Sequence, residues 1–175
     1  MLRKFVLLAS ALAAVAAATA LSAGADITTA TFTLTTAGVL SISAPTGTPV
    51  SLATQMSSNH ASTVSGQLGT VTVSDQRGGA QTWTATAISS AFTPTIGPAV
   101  TAIAASAVSY SVGTITQSGV VATGVDAPAL TAVVTVVTGV VTGLSTASWN
   151  PTISVAVPAG ALPGTYTATI THSVV

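Results

Sequence analysis

The chain has 175 residues, of which 3% are charged, 4% aromatic and 49% hydrophobic, with no cysteine. Its six formal charges are Arg3, Lys4, Arg77, Asp26, Asp75 and Asp126, which leaves almost no material for acid–base pairs or carboxylate metal cages. The missing cysteines exclude disulfides, thiolate zinc sites, a thiol nucleophile and a lipoprotein anchor, so packing and hydrogen bonds alone must hold the fold.

At the N-terminus, Arg3 and Lys4 precede the apolar run Phe5 to Ala18, followed by Ala-x-Ala sites at Ala18-Thr19-Ala20 and Ala23-Gly24-Ala25. This is the pattern of a cleavable secretory signal peptide, assigned to residues 1–25. The run is shorter than the roughly 20 residues of a membrane span, and no basic stop-transfer cluster follows it. Cleavage removes Arg3 and the only lysine, Lys4, so residues 26–175 keep one cation, Arg77, and no transmembrane anchor. Nucleic acids and anionic membranes are recognised by clusters of lysine and arginine, and are excluded as partners. The expected location is extracellular, at the cell surface or cell wall.

The mature segment is rich in serine and threonine, but its periodicity argues against disorder. Period-two alternation occurs in Thr31 to Leu34, Val39 to Ser43, Thr70 to Val73, Trp83 to Ala87, Ser109 to Val112, Thr152 to Val157 and Thr165 to Thr171. These runs predict half-buried antiparallel strands with β-branched threonine on the wet face. Glycine and proline punctuate them at short intervals, as at Pro45 to Pro49, Gly66 to Gly69, Asn150-Pro151 and Pro163-Gly164. The pattern predicts an all-β, antiparallel β-sandwich of the Ig-like, Greek-key type, a single domain over residues 26–175 behind the signal-peptide helix. Ala99 to Ala107 is the only later stretch suited to a helical turn. Leu130 to Val141 is apolar on both faces when extended. It predicts either a central strand covered on both sides or a surface for a partner or a second copy, with Gly139 and Gly143 as breaks against aggregation.

The densest motif runs from Gly69 to Thr86: a strand, the polar turn Asp75-Gln76-Arg77-Gly78-Gly79, and a strand bearing Trp83. It predicts a hairpin. Arg77 is placed to donate to Asp75 or to turn carbonyls, fixing the loop, or to contact a ligand. Trp83 is either a core anchor or a platform for a sugar ring.

Several blocks in a fixed order then carry a resemblance. Val71-Thr72-Val73-Ser74-Asp75-Gln76-Arg77-Gly78 leads to Trp83, and far downstream come Ser148-Trp149-Asn150-Pro151-Thr152-Ile153, Val157-Pro158-Ala159 and Gly164 to Thr171. Together they resemble the WxL-domain family of Gram-positive bacterial surface proteins, over nearly all of the mature chain. That resemblance implies a secreted β-sandwich attached non-covalently to peptidoglycan, often beside membrane-anchored partner proteins. Both signature positions differ: Trp83-Thr84-Ala85 stands where the first Trp-x-Leu belongs, and His172-Ser173-Val174 where the second does.

Reactive groups are sparse. His60 and His172 are the only imidazoles, too few with three aspartates for a metal site, and no Gly-x-Ser-x-Gly elbow supports a serine nucleophile. His60 is expected in a solvated loop and His172 on a strand face. Leu162-Pro163-Gly164-Thr165 lacks the last glycine of a sorting signal and reads as a turn. No catalytic residue, metal or cofactor is expected. The candidate binding residues are Trp83, Trp149 and Tyr166, provided their rings are exposed, with Asp75 and Arg77 of the polar turn beside them. The expected function is non-catalytic association with a wall polymer or a surface protein. The alternative is a structural subunit of a layer or fibre that self-associates by donating an edge strand, from Ile27 to Leu34 or from Tyr166 to Val175.

Overall fold

The computed structural model describes residues 31–32, 38–47, 49–56, 58–95 and 101–175. The expected signal peptide and most of Ile27 to Leu34 lie outside the described residues. All the elements below belong to the compact unit Thr35–Val175. They are the strands β1 (Leu40–Ser43), β2 (Ser62–Gln67), β3 (Val71–Asp75), β4 (Gln81–Ser89), β5 (Thr93–Pro94), β6 (Val108–Ser111), β7 (Ile115–Gly124), β8 (Val134–Trp149), β9 (Thr152–Val157), β10 (Tyr166–Thr167) and β11 (Ile170–Val174). A single 3₁₀ turn, Ala105–Ala107, falls where a helical turn was expected. The described residues are all-β and every named pairing is antiparallel.

The largest sheet has six strands, in the order β1-β3-β8-β4-β11 with β7 also paired to β8. A three-stranded sheet runs β2-β9-β6, and β10 pairs with β5. Strand β8 organises the large sheet. β7 runs beside both of its halves, while β3 pairs with Ser145–Trp149 and β4 with Val134–Val141. β3 and β4 therefore run in the same direction along one edge of β8. The hairpin predicted between them does not form, because the loop of residues 76–80 carries the chain onward along β8 instead of reversing it. At the same level, Gly119 of β7 stands opposite the extra residues 142–145 of β8, so the pairing is interrupted along both edges of β8 there. β1 and β11 come into contact, and the sheet nearly closes on itself like a barrel.

Alternation sets the core. Val71, Val73, Trp83, Ala85, Ala87, Val137, Val141, Ala147 and Trp149 are buried from the large sheet, and Val108, Tyr110, Ile153 and Val155 from the three-stranded one. Burying each valine or isoleucine is worth about 1.5–3 kcal/mol. Gly139 is not a break. It lies mid-strand directly opposite Trp83, and a Cβ there would overlap the indole ring, so this glycine is the notch that admits the tryptophan.

Two further expectations need correction. Leu130 to Val141 is not covered on both faces: Val136, Val137 and Val141 are buried, but Val133 and Val140 are 63% and 59% exposed. The long last strand is split, with β10 joined to β5 and β11 to β4, because the chain leaves one partner for the other at Ala168-Thr169.

Candidate functional site

The two tryptophans of the predicted site are core residues. Trp83 and Trp149 are each 2% exposed, inward on β4 and β8, and neither ring can lie against a polymer. The condition set for an aromatic platform is therefore unmet at both. The indole N–H of Trp149 donates to the Tyr110 hydroxyl at 2.8 Å, and that hydroxyl lies 3.1 Å from Nε2 of His172. The Tyr110 and His172 rings are tilted by 60° with centroids 5.7 Å apart. This chain joins β8 and β11 of the large sheet to β6 of the three-stranded one. Burial pushes the Tyr110 phenol up to about 12, opposed in part by the Trp149 hydrogen bond, and burial lowers the His172 imidazole below its ordinary value.

The polar turn is built as a staple. Asp75 is 1% exposed, and its Oδ1 accepts from the Arg77 backbone N–H and from Nε, both at 3.0 Å, while Oδ2 accepts from Nη2 at 2.8 Å. Nη2 also donates to the Thr82 carbonyl at 3.0 Å, so Arg77 bridges the two ends of the 76–80 loop. Hydrogen bonding to the Arg77 side chain holds the Asp75 carboxyl below the usual carboxylate range, burial opposing it, and the same bond raises Arg77. The pair's geometry is spent on closing the loop, the first of the two roles expected for it. Asp126 is similarly engaged, accepting from the Val112 N–H at 2.8 Å and the Ser111 hydroxyl at 3.0 Å.

Tyr166 is the one predicted aromatic that reaches the surface. Half-buried on β10, it donates its hydroxyl to the Leu162 carbonyl at 3.0 Å and walls a hollow of about 420 Å³ with Thr101, Pro158 and Leu162. A shallower depression of about 270 Å³ lies between β6 and β9, lined by Ser109, Ser111, Asp126, Thr152 and Ser154. Among the described residues no group of three or more His, Asp or Glu side chains could hold a metal ion. His60 is exposed in its loop, as expected.

What the sequence did not reveal is how the hydroxyls align. Register places Ser43, Thr72, Ser148 and Thr116 in one row across β1, β3, β8 and β7, and Ser41, Ser74, Thr146 and Ser118 in the next. All eight are exposed or half-buried. Neighbours within a row lie one strand spacing apart, about 4.7–4.9 Å. Each strand's alternation signals its own serines and threonines, but only pairing shows that they form a neutral grid. Beyond the register shift at Gly119 the same outer face turns apolar, where Val121 and Val140 stand directly opposite each other at 69% and 59% exposure.

The chain matches no protein-family model, no curated protein and no solved structure. No helix among the described residues is long and apolar enough to cross a membrane.

Proposed function

We propose that the protein is a secreted, non-catalytic β-sandwich of the WxL-like kind, associating non-covalently with the cell wall or with a surface protein through the hydroxyl-bearing outer face of its large sheet. The sandwich reading is supported by the Trp149–Tyr110 hydrogen bond, which joins side chains of the two larger sheets in one core. Residues 1–25 act as the signal peptide, and peptidoglycan is the first polymer to test.

The observation that carries the reading is the assignment of the reactive side chains. Asp75 serves Arg77, Asp126 serves the β6 end, and Tyr110, Trp149 and His172 serve the core, while the two Ser/Thr rows face outward and uncharged. A neutral hydroxyl grid both donates and accepts hydrogen bonds and is little affected by salt. Polysaccharide hydroxyls and amides are chemically complementary to it. Tyr166, beside its hollow, is the aromatic contact that remains on this reading. The test is co-sedimentation of the mature protein, from Asp26, with purified sacculi across a salt series. Pelleting that persists in high salt supports wall association, and a protein that stays in the supernatant at every salt concentration removes it.

A second reading, a subunit that assembles by edge-strand addition, is favoured by β7. Among the described residues this ten-residue strand lies at the sheet edge; it carries no charge or proline, and its exposed Val121 stands opposite the exposed Val140. Of the two strands expected to be donated, Tyr166 to Val175 is engaged with β5 and β4 of its own chain, and most of Ile27 to Leu34 lies outside the described residues.

A further inference from the structure

The Trp149–Tyr110–His172 chain has a property that its packing role does not require. The Tyr110 hydroxyl has one proton and already accepts the Trp149 indole N–H. Its oxygen can accept a second bond, but the arrangement that also uses the hydroxyl proton sends that proton to His172 Nε2, with the neutral imidazole carrying its own proton on Nδ1. That Nδ1 is buried and has no hydrogen-bond partner. Among the described residues, the strands packed against the ring bring no charged group to favour a second proton. β4 and β1, the neighbours of β11, contain no titratable residue, nor does β8; β6 contributes only Tyr110. Asp75 is held by Arg77, and Asp126 by Ser111 and Val112. Among the described residues β11 itself ends the strand path of its sheet and pairs along only one side, with β4.

We propose that His172 is an acid-operated latch for the last strand: a proton on Nε2 turns the acceptor into a donor, leaves the Tyr110 hydroxyl proton without an acceptor, and frees β11 from β4. The strand released carries Ile170 and Val174 out of the core margin and opens the β4 edge from Ala85 to Ser89, creating two unpaired strand edges. The sign follows from burial. The imidazole of a released β11 titrates near about 6.5, and the latched one lower. The latch is fully held above the released value and weakens as the pH falls through it.

Hydrogen exchange of the mature chain between pH 7.5 and 5, corrected for intrinsic rates, tests this. The β11 amides are expected to lose protection by up to about tenfold per pH unit below about 6.5, while β9 amides keep theirs, and His172→Gln is expected to abolish the pH dependence. Nitrogen NMR of the wild-type imidazole gives a reading that no variant can compromise: Nδ1–H at pH 7.5, with protonation coinciding with the loss of β11 protection. An Nε2–H tautomer, pH-independent β11 exchange, or an unchanged pH dependence in folded His172→Gln would overturn the proposal.

Discussion

Replacing Tyr110 by Phe removes one oxygen and tests the buried chain directly. The ring still fills its place between the sheets, but the Trp149 indole N–H loses its acceptor and His172 Nε2 its donor. A buried polar group left unsatisfied costs about 1–3 kcal/mol. Trp149 is fully buried and bears that cost in full, whereas His172 is only half-buried and can turn partly to water. The expected loss is therefore about 2–4 kcal/mol. That is a large fraction of the roughly 5–15 kcal/mol that holds a domain folded, and it corresponds to a fall in Tm of about 5–15 °C for a domain of this size. Urea unfolding followed by tryptophan fluorescence and by far-ultraviolet circular dichroism measures it, with an unchanged slope showing that the midpoint shift is a stability change. A loss below about 0.5 kcal/mol, within the usual range of a surface substitution, would refute the claim that this hydroxyl satisfies the buried Trp149 indole and the half-buried His172 imidazole.

Three more outcomes follow from the same geometry. Asp75 has a depressed folded-state pKa, so its contribution to stability is present above about pH 3.9 and is lost as the pH falls below it; melting curves from pH 5 to 2.5 should show Asp75→Asn less stable at pH 5 and less acid-sensitive than the wild type. Gly139→Ala drives a methyl group into the Trp83 ring and is expected to cost about 1–3 kcal/mol with a changed near-ultraviolet dichroism spectrum, both absent if the indole lies elsewhere. Val121→Lys and Val140→Lys place charge on an exposed apolar pair without disturbing the core. If β7 mediates assembly, sedimentation velocity should show concentration-dependent oligomers in the wild type and monomers in both variants.

The sequence made β1, β3, β4, β6, β9 and β11 legible because their alternation is strict, whereas β2 and β7, interrupted by Gly66 and Gly119, were not read as strands. Leu40, Ile42, Val71, Val73, Ala85, Ala87, Ile153 and Val155 all turn inward as period two requires. The Asp75–Arg77 clasp was legible for a similar reason: two opposite charges sit two residues apart in a glycine turn. Pairing was less accessible. The Gly78-Gly79 signal is the same for a reversal and for a loop that continues along β8, and only the 16 residues of β8 make room for both β3 and β4 on one edge. The tryptophans stayed open between two roles, since a lone indole on an alternating strand is either core or platform until its neighbour, Gly139 or Tyr110, is known. Tyr110 did signal itself, as the large ring between Ser109 and Ser111, but its link to His172 joins residues 62 positions apart. The Ser/Thr grid depends on register across four strands, a property that no single strand contains.

The most direct test of the functional account is co-sedimentation with sacculi of a variant carrying Thr72→Val, Thr146→Val and Ser148→Ala, beside the wild type and Tyr166→Ala. These three changes remove hydroxyls from the centre of the grid while keeping shape and strand preference. If the outer face of the large sheet is the contact surface, the triple variant melts like the wild type and stays in the supernatant under conditions where the wild type pellets. Undiminished pelleting of the triple variant would contradict the account, and loss confined to Tyr166→Ala would move the contact to the hollow beside β10.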